Sequence, residues 1–92
     1  MLYYFGSKIM NFLDEVKEKI NKKIKPKNLI LIDNSKFHSN HKSFDKKKFH
    51  LKIIIESERL KKMDKIDAHK EIYSVLKSEI KNRIHALEIE IH

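Results

Sequence analysis

A two-layer α+β domain, with a three-stranded sheet carrying helices on one face, is the fold class this sequence predicts. Two stretches, 11–24 and 66–81, space their apolar residues at helical intervals. Three shorter ones, 28–33, 49–57 and 84–91, are rich in β-branched residues or alternate apolar with polar. Their order is helix, strand, strand, helix, strand. A sheet of three strands needs one face covered to bury its apolar side, and two helices suffice.

The first helix places Phe12, Leu13, Val16, Ile20 and Ile24 on one stripe. Asn11 is its candidate N-cap. Asp14, Glu15 and Glu18 sit early and Lys19, Lys22 and Lys23 late, which suits the helix dipole. Pro26 ends the helix and is expected to push Lys25 into an extended conformation. The run Asn28-Leu29-Ile30-Leu31-Ile32-Asp33 is a strand with apolar residues on both faces, which suggests a central, well-covered position. Residues 34–48 are polar and aperiodic, and a loop of that length in a small domain is commonly functional or disordered.

Phe49, Leu51, Ile53 and Ile55 then alternate with His50, Lys52, Ile54 and Glu56, defining a half-buried strand expected to pair antiparallel with the first. Residues 58–65 connect, with a short helical turn. In the second helix Ile66, His69, Ile72, Tyr73, Leu76 and Ile80 are expected to share a face. In the last strand Leu87, Ile89 and Ile91 face one way, with His85 in phase with them at the strand's entrance. If the last two strands run parallel, the helical link between them makes a right-handed crossover.

With 92 residues, the chain is sized for one domain, expected over 11–92, with residues 1–10 an N-terminal extension and candidate disordered segment. It has no cysteine, so it makes neither a disulfide nor a thiolate metal site of its own. That fits a cytoplasmic setting. No apolar run approaches the ~20 residues of a membrane span. The net charge of +8 comes almost wholly from lysines, since Arg59 and Arg83 are the only arginines. Lysine lacks the bidentate fork with which arginine reads bases and phosphates. Gly6 is the sole glycine, so there is no Gly-rich phosphate loop, and no nucleophile elbow occurs. The expectation is that the chain is not an enzyme.

Six histidines remain as the borderline metal ligands: His38, His41, His50, His69, His85 and His92. His38 and His41, three apart in the loop, are either metal ligands or exposed polar residues. His50 shares a face with Lys52 and is expected to be exposed. His69 is expected to be structural, His85 partly buried or ligating, and His92 frayed at the terminus.

Several segments together resemble the BolA family. Leu29-Ile30-Leu31-Ile32-Asp33-Asn34-Ser35 is similar to its apolar strand and turn, and His38-Ser39-Asn40-His41 to the His-x-x-His of its loop. His50-Leu51-Lys52-Ile53 is similar to its His-Phe-Lys-Val strand, Ile66-Asp67-Ala68-His69-Lys70-Glu71-Ile72-Tyr73 to its histidine-bearing helix, and Ile84-His85-Ala86-Leu87-Glu88-Ile89 to its Ile-His-Ala-Leu strand. They fall in the family's order across 11–91. Leu60 and Lys62 stand where the family has an aromatic and a glycine, Ala68 and Lys70 replace arginines flanking His69, and Lys36 replaces a histidine found in many bacterial members.

The resemblance implies an αββαβ domain akin to the class II KH fold. It also implies a heterodimer with a monothiol CGFS-type glutaredoxin that shares a [2Fe–2S] cluster, with glutathione as the other thiolate source. The isolated chain would hold no cofactor and stand as a monomer or weak homodimer. By matching position, His85 is the principal iron ligand and His38 the loop ligand, with His41 as its substitute. Two imidazoles in place of two thiolates raise a cluster's potential, as in Rieske centres, and because the imidazoles must be unprotonated, binding weakens in acid. The role implied is iron–sulfur trafficking or iron and redox regulation, linked to stress response. The alternative is a nucleic-acid-binding transcriptional regulator, using Lys61, Lys62, Lys65, Lys70 and His69 on a KH-like frame. That class is weakened by the missing GXXG clamp and by the scarcity of arginine. A third reading is an adaptor that binds the glutaredoxin without a cluster.

Overall fold

The computed structural model describes residues 11–35 and 49–92. The expected N-terminal extension and residues 36–48, which carry His38 and His41, lie outside the described residues. The elements are α1 (Phe12–Lys23), β1 (Asn28–Asp33), β2 (Phe49–Glu56), α2 (Glu58–Lys62), α3 (Lys65–Val75), α4 (Lys77–Asn82) and β3 (Ile84–Ile91). The sheet order is β1-β2-β3, with β1 antiparallel and β3 parallel to the central β2.

α1 begins where the Asn11 side chain accepts the Asp14 N–H at 2.9 Å, which satisfies one of the helix's open donors. It ends differently from the expectation. Lys25 is not extended but left-handed, with φ 56°. The Ile24 N–H already closes on the Ile20 carbonyl at 2.8 Å, and a left-handed residue then turns the chain out of the helix toward Pro26. For a residue with a Cβ this costs roughly 1–2 kcal/mol.

The core lies between the helices and one face of the sheet. Val16 and Ile20 of α1, Leu51, Ile53 and Ile55 of β2, Leu60 of α2, Ala68 and Ile72 of α3, Leu76 and Ile84 are all buried there. The alternation of β2 is thus realised as expected. β1 is an edge strand rather than a central one. Leu29 and Leu31 pack on the core, while Ile30 and Ile32 remain 53% and 37% exposed on the open face. Two apolar faces in a run do not by themselves bring a second layer to cover them.

The expected helix over 66–81 is two helices, broken at Leu76 (φ −104°, ψ 20°). Just before the break the Ser74 hydroxyl donates to the Glu71 carbonyl at 2.8 Å, a back-bond of the kind that bends helices. The inward face also differs from the expectation. Ala68, Ile72 and Leu76 point inward, leaving Ile66 64% and Tyr73 43% exposed.

Side-chain bonds tie the elements together. Ser57 caps α2 by accepting the Leu60 N–H at 3.2 Å. The Lys19 ammonium reaches both Glu79 oxygens at 2.8 and 3.0 Å, joining α1 to α4. His92 does not fray: its N–H donates to Ile55 at 2.9 Å and its carbonyl accepts from Ser57 at 3.0 Å, so the β2–β3 ladder continues to the last residue.

Candidate functional site

The parallel ladder between β2 and β3 is interrupted at one end. Phe49 pairs with Ile84 but His50 pairs with Ala86, so His85 is the extra residue of a β-bulge. The cause lies in its neighbours. Ile84 is buried and Leu87 packs against the core, three positions later. A strand of period two cannot turn both inward without one added residue between them. The bulge absorbs that residue and turns His85 away from the apolar set. His85 is therefore exposed, which corrects the expectation that it continues the apolar face.

The residue it meets is His50. The two rings stand with centroids 5.0 Å apart and planes inclined by 34°. His50 is half-buried, and its pairing partner on that face, Ala86, presents only a methyl group beside the rings. The expectation of a solvent-exposed His50 missed this contact: the residue is half-buried against His85. The signal was the odd interval in Ile84, Leu87, Ile89, Ile91, which requires a bulge and therefore reverses the direction of residue 85.

The surroundings of the pair are well fastened. The Asn34 N–H donates to the His50 carbonyl at 2.7 Å, and the His50 N–H donates to the Ser35 hydroxyl oxygen at 3.2 Å. Asp33 Oδ1 accepts from the Ser35 N–H at 2.9 Å and also from its hydroxyl, closing an Asx turn. On the other side the Phe49 N–H donates to the Arg83 carbonyl at 2.8 Å. Phe49 stacks on Phe12 with centroids 4.6 Å apart, and the Arg83 guanidinium lies 4.6 Å from the Phe12 ring centre and 5.8 Å from that of Phe49. Residues 35 and 49, which bracket the stretch carrying His38 and His41, are thus anchored next to the bulge.

Among the described residues, no group of three or more His, Asp or Glu side chains converges to hold a metal. Among the described residues the His50–His85 pair offers two donors, so an ion there needs further ligands beyond these two.

The residues of the nucleic-acid reading lie elsewhere. Lys61 and Lys62 are exposed on α2, Lys65 and Lys70 on α3, and His69 is half-buried with its ring edge-on to Tyr73 at 6.5 Å. Lys65, Ile66, His69, Lys70 and Tyr73 line a shallow, mainly apolar hollow. Nearby, Arg59 of α2 forks onto Glu71 of α3 at 2.9 and 2.5 Å. The bond and charge of Arg59 hold the Glu71 carboxyl below the usual carboxylate range, and Glu71 in turn raises the guanidinium. No helix among the described residues is long and apolar enough to cross a membrane.

The sequence profile of the family described as BolA-like protein matches residues 20–92. The chain belongs to the BolA-like family. This BolA-like chain is 35% identical over 77 residues to a BolA-like protein of Dictyostelium discoideum, a match covering 83% of this chain and 65% of that protein. It thus spans just under two thirds of that relative's length. It is 28% identical over 82 residues to the DNA-binding transcriptional regulator BolA of Haemophilus influenzae, covering 89% of this chain and 77% of that one. Among solved structures, BolA1 from Arabidopsis thaliana superposes with a TM-score of 0.76 at 28% identity, covering 90% of this chain and 92% of the other. The BolA domain of SufE1 from the same plant gives 0.72 at 30%, covering 84% and 85%. The arrangement of one helix, two strands, three helical segments and a last strand is therefore that of a BolA domain.

Proposed function

We propose that this BolA-like chain lends imidazole to a [2Fe–2S] cluster shared with a monothiol CGFS-type glutaredoxin and glutathione, with His85 as its principal ligand. One observation carries this reading: the bulge turns His85 out of the core at the entrance of β3, between the Phe49–Ile84 and His50–Ala86 pairs, where a docked partner can reach it. A ligand fixed by a ladder on one side needs little ordering when the partner arrives. The donor set also fits. The chain has no cysteine, so its contribution is nitrogen, while the partner and glutathione supply sulfur.

The loop ligand in this proposal is His38, with His41 as its substitute. Ser35 bonds to His50, beside the bulge. His38 follows Ser35 by three residues, a chain length of at most about 11 Å. When bound, the cluster supplies one-electron chemistry at a potential raised by nitrogen ligation. Trafficking of iron and sulfur, or sensing of iron and redox state in the cytoplasm, is the role that follows.

Anaerobic purification of the chain with such a glutaredoxin and glutathione tests the proposal. A heterodimer whose visible spectrum differs from that of the glutaredoxin alone is expected. If the heterodimer forms equally tightly without iron and never carries a cluster, the chain is an adaptor instead.

A second reading, nucleic-acid binding, draws on the name of the Haemophilus relative and on the exposed Lys61, Lys62, Lys65 and Lys70 around the α2–α3 turn. Four lysine–phosphate contacts would give a log–log salt slope of about −3.6 on duplex DNA. Binding that is lost by about 200 mM salt with no sequence preference would mark generic lysine attraction.

A further inference from the structure

The bulge that exposes His85 also brings it alongside His50 on an adjacent strand, and nothing in the shared-cluster proposal uses His50. We propose that His50 and His85 together form a chelating site, within this chain alone, for a borderline divalent transition ion such as Zn2+. The spacing suits it. Two imidazoles bound to one tetrahedral ion through bonds of about 2.0–2.1 Å have ring centroids about 5 Å apart. The two rings here stand 5.0 Å apart.

The scaffold suits it as well. Both histidines sit on paired strands, so the ion is gripped without ordering a loop. The His50 backbone is bonded to Asn34 and Ser35, and the residue preceding it is held by the Phe12–Phe49 stack. Ala86, which pairs with His50, is exposed and carries only a methyl group.

The donor type sets the class of ion. Imidazole nitrogen favours Zn2+, Ni2+ and Cu2+ over Mg2+ and Ca2+, which take oxygen ligands. Two protein donors on an exposed surface make an open site, with the remaining positions filled by water or by a ligand from another molecule. An ion held there occupies the same His85 imidazole that the shared-cluster proposal assigns to iron, so the two ligands would compete.

The test uses the purified full chain and Zn2+ alone, titrated calorimetrically, with neither glutaredoxin, glutathione nor iron present. Its failure therefore leaves the shared-cluster proposal standing. One Zn2+ site per chain is expected, with no response to Mg2+. Removing one of two chelating groups forfeits the effective concentration of the second, so His50→Ala and His85→Ala should each weaken binding by at least about tenfold. His50→Gln, which retains a polar side chain of similar reach, should lose binding to the same degree. A His92→Ala variant, whose ring bonds to Glu90 away from the pair, should bind within about twofold of the parent. Absence of binding in the parent, full affinity in His50→Ala or His50→Gln, or loss of the site in His92→Ala would each overturn the assignment.

Discussion

Neighbouring isoleucines on opposite faces of this sheet should differ sharply in what they contribute to stability. Ile53, at the centre of β2, has no exposed surface and lies in the cluster with Val16, Ile20 and Ile72. Ile30, on β1, is 53% exposed on the open face. Truncating a fully buried isoleucine to alanine removes transfer energy and leaves a cavity, at a cost of about 2–5 kcal/mol. A domain of this size has roughly 5–14 kcal/mol in total. Ile53→Ala therefore consumes a large share. With a urea m-value of about 1–1.5 kcal/mol/M, a loss of about 3 kcal/mol lowers the unfolding midpoint by about 2–3 M. Ile30→Ala should cost about 0.5 kcal/mol or less, a midpoint shift under about 0.5 M. Urea denaturation followed by far-UV circular dichroism measures both. Equal losses in the two variants would refute the two-layer account, because they would mean that the open face is also packed.

Other consequences concern the caps, the ion pair and the aromatic stack. Asn11→Ala removes the α1 cap and should cost about 1 kcal/mol, read as a lower thermal midpoint with unchanged helix content at 20 °C. The Glu71 carboxyl, held low by Arg59, contributes stability that is present above the ordinary carboxylate range and is lost as pH falls through its lowered value. The gap in thermal midpoint between the parent and Glu71→Gln should accordingly be widest near neutral pH and close toward pH 3. Arg83→Ala withdraws a guanidinium from the Phe12–Phe49 stack and should cost about 0.5–1 kcal/mol, with loss of amide-exchange protection concentrated at residues 49 and 84–86.

The frame of this domain was legible because its strongest patterns are local. Asn11 before an acidic first turn announced α1, and the alternation from Phe49 to Glu56 announced a strand with one buried face. What escaped was decided by tertiary context. Leu29 to Ile32 are apolar on both sides, and only the sheet order shows that β1 is an edge. The helix breaks at Leu76, two residues after a Ser74 hydroxyl turns back on its own helix. Lys25 takes a left-handed conformation where its proline neighbour argued for an extended one. The site follows the same division. His85 stood out by its place in Ile-His-Ala-Leu, but strict alternation sent it to the wrong face. Leu87 follows Ile84 by three positions, and both are held against the core. That odd interval, rather than any property of histidine, carries the imidazole outward and next to His50.

The most direct test of the central claim is the spectrum of the cluster assembled anaerobically from a monothiol glutaredoxin, glutathione and this chain, compared between the parent and His85→Ala. The account predicts that the parent's visible and paramagnetic signatures show nitrogen ligation and that His85→Ala reverts to the spectrum of the glutaredoxin alone. Identical spectra for the two proteins, each bound to the glutaredoxin, would contradict it.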